Sequence, residues 1–187
     1  MEEVKKVLED GERRMRKSIE TLKSELAKLR AGRASPSILD PVKVDYYGTQ
    51  VPLRQIASIL APEPRLLVVQ PWDKNALPEI EKAIRASGLG LNPKTEKGII
   101  KIPIPPLSEE RRQELSKLVK KMLEDIKIAI RNIRRDMMEK IKKFEKDKVI
   151  SEDEKIRYEK EIQKVTDKHI EEAEKIADEK IKEIMEG

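Results

Sequence analysis

Apolar residues recur at steps of three and four along three long stretches of the chain. In the first, Val4, Leu8, Gly11, Met15, Ile19, Leu22, Leu26 and Leu29 share one face. In the second, Leu115, Val119, Met122, Ile126, Ile130, Ile133, Met137, Ile141 and Phe144 do the same. The third, Ile162, Val165, His169, Ala173, Ile176, Lys180 and Ile184, keeps the period less purely. A step of 3.6 places such residues on one helical stripe, so three long amphipathic helices are predicted. Ser108 before Glu109 and Glu110 suits a helix start, and Ser151 with Glu154 three residues on is a capping-box candidate. A helix over 108–148 would be a rod roughly 60 Å long at 1.5 Å per residue. Narrow stripes of this kind also suit a coiled coil between chains, but the short turn at 149–151 favours an intrachain hairpin.

Between the first and second stretches the pattern changes. VKVDYYGTQVPL reads as a hairpin turning at Gly48-Thr49, RLLVVQPW as a buried strand, NALPEIEKAIRASG as an amphipathic helix closed by Gly88, and GIIKIPIP as a further strand. All 11 prolines fall between Pro36 and Pro106. Residues 32–106 hold only 10 of the 41 basic and 7 of the 36 acidic side chains. The expected fold class is therefore α+β, with an elongated three-helix bundle formed by 1–31 and 107–187 and a small β/α/β domain, 32–106, inserted into it.

Composition removes most chemistries. The chain has no cysteine and one histidine, which excludes disulfides and thiolate metal sites and leaves no cofactor to expect. No segment has the length and apolarity of a signal peptide or membrane span, so a cytoplasmic protein without membrane partners is expected. GLGLNPKT, residues 88 to 95, approaches a phosphate-binding loop but puts Pro93 where glycine is required, and a strand rather than a helix follows. His169 falls on an apolar stripe, as packed histidines do, with no nucleophile or acid to make a catalytic set. Tyr46, Tyr47 and Trp72 are expected in the core of the small domain rather than as base-stacking platforms. Nothing marks an enzyme.

One tract stands out. From Ile126 to Arg135 there are Lys127, Arg131, Arg134 and Arg135 and no acid. Taking Ile126 as zero, Arg134, Lys127, Arg131 and Arg135 fall at about 80°, 100°, 140° and 180° around the helix, a single basic flank beside the core stripe. Arginine pairs bidentately with phosphate and stacks on bases, so the flank fits RNA or DNA; a merely solvated face fits the spacing equally well.

The motif KIAIRNIRRDM, with LRAGRASPSILDPVKVDYYGTQVPLRQIAS, KAIRASGLGLNP, IPIPPLSEERR and KVISEDE, resembles the ribosome recycling factor family across essentially the whole chain and in the family's order. That resemblance implies an L-shaped monomer of transfer-RNA-like dimensions, a three-helix bundle and a small domain joined by two flexible linkers. It implies binding of the post-termination ribosome through large-subunit ribosomal RNA. With elongation factor G and GTP, subunits would then separate and release messenger and transfer RNA. Carried over by position, the RNA-binding residues would be Arg131, Arg134 and Arg135 with Lys127 on the same flank, and Arg30 and Arg33 of the first linker. The hinge would comprise Ala31 and Gly32 on one crossing and Pro105 and Pro106 on the other. A protein-gripping helical clamp is the competing expectation, and would expose apolar surface at the bundle tip near Val149-Ile150.

Overall fold

The computed structural model describes residues 2–30 and 32–186. They form two compact units, residues 2–30 with Glu109–Glu186, and Gly32–Ser108. The hinge position expected at Ala31 lies outside the described residues.

The first unit is a bundle of α1 (Glu2–Ala27), α3 (Glu109–Lys146) and α4 (Glu152–Glu186). The 38 residues of α3 make a rod of roughly 57 Å. Lys127 to Glu174 and Lys155 to Glu145 set α4 antiparallel to α3; Arg14 Nη1 meets Asp136 Oδ2 at 3.2 Å while Leu26 and Ala27 lie beside Ile176 and Glu183 of α4, so α1 runs along α4 and against α3. The stripes pack on one another within the chain, as an intrachain hairpin requires. Val4, Met15, Ile19, Leu22 and Leu26 of α1 bury against Leu115, Val119, Ile130, Ile133, Met137 and Ile141 of α3 and Ile162, Ala173 and Ile184 of α4. On α4 Thr166 and Ala177 are buried, while the expected Val165, Ile176 and Lys180 are only half-buried. Thr166 is tolerated there because its hydroxyl donates to the Ile162 carbonyl at 2.7 Å, leaving no polar atom unmet. Gly11 lies where α1 packs tightly on α3: a Cβ built there would stand 2.2 Å from Met137 Sδ.

The α3–α4 turn is built from local chemistry. Val149 N–H donates to the Phe144 carbonyl at 2.8 Å and Lys148 N–H to the Glu145 carbonyl at 3.0 Å, a Schellman closure with Lys148 at φ 61 in the place glycine usually takes. The capping box then starts α4: Glu154 N–H donates to Ser151 Oγ at 3.1 Å and Ser151 N–H to Glu154 Oε1 at 3.3 Å.

The second unit holds a two-stranded hairpin, β1 (Lys43–Tyr46) and β2 (Thr49–Pro52), and a four-stranded antiparallel sheet in the order β3-β4-β6-β5. Its strands are β3 (Ala57–Glu63), β4 (Leu66–Pro71), β5 (Lys94–Glu96) and β6 (Ile99–Pro103). Helix α2 (Leu77–Ala86) buries Ile80 and Ile84 in the same core as Leu67 and Val69 of β4 and Ile100 and Ile102 of β6. Strands β3 and β5 carry no pattern that announces them. Pro62 interrupts the first, where pairing with β4 shifts between Leu60 and Glu63, and all three residues of the second are exposed at the sheet edge. The hairpin turns at Tyr47-Gly48, one residue before the expected Gly48-Thr49, because a two-residue type I′ turn needs positive φ at both central positions. Those angles are 49° at Tyr47 and 80° at Gly48.

Candidate nucleic-acid interface

Helix α3 carries the arginine tract on its border with α4. Asp136, on the opposite side of the core stripe, reaches across to Arg14 of α1. The two basic residues closest to the core edge are engaged by α4. Lys127 Nζ lies 3.3 Å from Glu174 Oε1 with its side chain only 19% exposed, and Arg134 Nη1 donates to Gln163 Oε1 at 3.1 Å. Farther round, Arg131 is 46% exposed, and its contact with Glu124 is a loose 3.8 Å. Arg135 is exposed and has no ion-pair or hydrogen-bond partner among the described residues. The flank is acid-free in sequence but not in space, since Glu124 and Glu174 come beside it from outside the tract. Arg131 and Arg135 are therefore the groups whose donors face solvent, while Lys127 belongs to the bundle's own packing.

The same face extends beyond the tract. Exposed Lys117, Lys120, Lys142 and Lys146 fall at about 120° to 200° on the helical wheel, the sector of Arg131 and Arg135, with Glu124 the acid between them at about 160°. A window confined to residues 126–135 misses them; a wheel drawn over all of α3 finds them.

The linker arginines do not join this cluster uniformly. Arg14 is level with Asp136, so Arg30, sixteen positions further along the chain and past the end of α1, lies roughly 20 Å farther along the bundle axis. Arg33 belongs to the second unit. Both are exposed and unpaired among the described residues. Of the expected hinge positions, Gly32 has φ 75, and a Cβ there would sit 3.2 Å from Leu107 Cγ and 3.4 Å from Leu107 N, so both conformation and space call for glycine. Pro105 and Pro106 are exposed between β6 and α3.

Other candidate chemistry resolves by position. His169 is 3% exposed, and its Nδ1 lies 2.8 Å from the Val165 carbonyl, which identifies Nδ1 as the protonated, donating nitrogen. GLGLNPKT runs as a loop into β5, with no helix N-terminus for a phosphate. At the bundle tip Val149 is exposed and Ile150 buried, half of the surface the clamp expectation required. The aromatic expectation is corrected: Tyr47 is 76% and Trp72 68% exposed, and only Tyr46 is half-buried. The sheet face that meets α2 is filled by aliphatic side chains, and Tyr47 occupies the exposed hairpin turn.

Two tyrosines and one acid form a linked group here. Tyr46 and Tyr47 hydroxyls donate to Asp73 Oδ2 at 3.1 and 2.9 Å, while Asn75 N–H donates to Oδ1 at 3.0 Å. The Asn75 amide above all, with the Tyr47 hydroxyl, holds the Asp73 carboxyl below the usual carboxylate range. Burial raises the Tyr46 phenol, and its bond to Asp73 raises that of Tyr47.

Comparison with known proteins assigns the chain and its fold to a family. The family model for ribosome recycling factor matches residues 22–185. A ribosome-recycling factor of Brevibacillus brevis is 55% identical over 180 residues, covering 96% of this chain and 97% of that protein. That of Natranaerobius thermophilus is 53% identical over 178 residues, 95% and 97% of the two chains. Among solved structures, a solution structure of a ribosome recycling factor matches with TM-score 0.72 and 43% identity over 100% of both chains. A second, of T. thermophilus ribosome recycling factor with E. coli elongation factor G on the E. coli post-termination complex, matches with TM-score 0.61 and 51% identity, covering 97% of this chain and 98% of that one. With its bundle, its inserted sheet domain and near-complete coverage of these relatives, the chain belongs to the ribosome recycling factor family, a family of non-enzymatic translation factors.

Proposed function

We propose that this protein binds the post-termination ribosome through large-subunit ribosomal RNA and, with elongation factor G and GTP, drives separation of the subunits and release of messenger and transfer RNA. The family match over residues 22–185 carries this reading, and the exposed basic face of α3 supports the RNA contact. Arg131 and Arg135 would anchor through phosphate. Arg134 would join after exchanging its bond to Gln163, and Lys127 would hold the flank in shape through Glu174. Arg30 and Arg33 would make separate contacts. The protein hydrolyses nothing; elongation factor G supplies the GTP step.

In this mechanism the bundle is a stiff lever. Its helices are continuous over 26, 38 and 35 residues, so force applied at one end reaches the other without a break to absorb it. The crossings between units, at Ala31 and Gly32 and at Pro105 and Pro106, would confine the motion: glycine offers φ freedom, and paired prolines resist bending. Subunit splitting then follows from tighter binding to the separated state than to the joined one. The buried intrachain stripes support a monomer as the working form.

Light scattering of post-termination ribosomes tests the proposal. Scattering should fall only when protein, elongation factor G and GTP are all present; a fall without the protein, or none with all three, refutes it. The anchoring claim has its own test. Removing one phosphate contact should flatten the log–log salt dependence of ribosome affinity by about 0.7 to 0.9. Arg135→Ala and Arg131→Ala should each do so, and salt slopes equal to that of the parent protein would refute phosphate anchoring.

A further inference from the structure

The most exposed aromatic side chains of this protein are Tyr47, which bonds to the Asp73 carboxylate, and Trp72, the residue before Asp73, both far from the bundle's basic face in sequence and in the other compact unit. The group is built, not accidental. Tyr46 and Tyr47 meet edge to face with centroids 4.5 Å apart and planes at 76°. Both phenols spend their protons on Asp73 Oδ2, and the Asn75 amide fixes Oδ1. Trp72 is held by its backbone, whose N–H donates to the Ile56 carbonyl at 3.2 Å, while its indole stays in solvent. Tyr47 adopts φ 49, a conformation costly for a bulky residue, and so presents its ring at the turn.

We infer that this patch receives an arginine-bearing basic segment of a protein partner. With their protons committed to Asp73, the phenols donate nothing to a partner, and the aromatic face of exposed Tyr47 is electron-rich. The carboxylate is ionised, and Lys74, next in the chain, forms no ion pair with it. Acceptors, π faces and one fixed negative charge complement a guanidinium, which stacks on aromatic rings and donates at its edge, better than an ammonium. The same charge repels phosphate, so a nucleic-acid strand stacking its bases here is disfavoured despite the exposed rings. The surface lies outside the proposed RNA-facing role of α3 and does not depend on it.

Trp72 is the only tryptophan, so its emission reports on this patch alone. The full-length protein would be titrated at low salt with an octapeptide of alternating arginine and glycine, its citrulline and lysine counterparts, and oligouridylate. The expected result is a saturable change in Trp72 emission with the arginine peptide, at least threefold weaker binding of the lysine peptide and no response to citrulline or oligouridylate. Asp73→Asn, which keeps a side-chain oxygen for the Asn75 amide, should weaken arginine-peptide binding at least fivefold. Equal response to citrulline refutes the charge requirement without altering the protein. A response to oligouridylate alone would make this a base-stacking surface, and an emission change on concentration without peptide would make it a contact between copies. Either outcome, or no response to any probe, overturns the inference.

Discussion

Replacing Gly11 with alanine sets two effects of similar size against each other. Alanine is favoured over glycine inside a helix by about 1 kcal/mol. Against that, the new Cβ would stand 2.2 Å from Met137 Sδ, 2.5 Å from Cε and 2.7 Å from Cγ. Met137 is 3% exposed, so its thioether has no solvent to move into and must displace neighbours. Overpacking a filled core costs about 1 to 3 kcal/mol. The expected net effect is destabilisation of about 1 kcal/mol, where propensity alone would stabilise. Met137→Ala removes all three offending atoms at a cost of about 2 to 5 kcal/mol. In that background Gly11→Ala should become stabilising by about 1 kcal/mol, because the clash is gone and the propensity gain remains. The sign reversal amounts to a coupling of about 2 kcal/mol between the two sites. Urea unfolding followed by far-UV circular dichroism measures it through the bundle, with Trp72 fluorescence tracking the inserted unit separately. Effects that add within about 0.5 kcal/mol would refute the close approach of α1 and α3 at this point.

Lys148→Gly should stabilise by up to about 1 kcal/mol, because the left-handed residue closing α3 is relieved of its side chain; a lower urea midpoint would contradict the Schellman assignment. Ser151→Ala removes the capping acceptor of α4 and should cost about 1 kcal/mol in the same experiment. Asp73 has a depressed folded pKa, so its contribution to stability is present above the unfolded value near 3.9 and is lost as pH falls through the folded one. A Trp72 emission titration between pH 5 and 2 should therefore place its acid midpoint below the ordinary carboxylate range, and Asp73→Asn should abolish that transition.

Much of the architecture was legible because the bundle repeats one signal many times. A stripe of five or more apolar residues at helical spacing has few other solutions, and the Ser151 and Glu154 cap is a bond between near neighbours that local sequence can encode. The family resemblance was legible for the same reason, through motifs spread over the chain. Short elements were less so. Strand β5 has three exposed residues and exists because β6 offers it a ladder, and β3 is obscured by Pro62. On α4 the period could not choose between Val165 and Thr166, which adjoin; helix rotation against α1 and α3 chose, and the Ile162 carbonyl made the choice tolerable.

The basic tract shows where the boundary lies. Sequence determined that four cations share one flank of α3, since 100° per residue is a property of the helix itself. It did not determine which of them are free. That depended on Glu174 and Gln163, brought alongside by a helix that turns back at Lys148, and on Glu124 two turns away on α3. Exposure of Tyr47 and Trp72 was decided in the same way. Aromatic residues in a small domain are expected inside it, but aliphatic side chains had already filled that core, and the space left was at its surface. Periodicity is local and survives in sequence, whereas burial and pairing depend on which distant residues the fold brings to the same place.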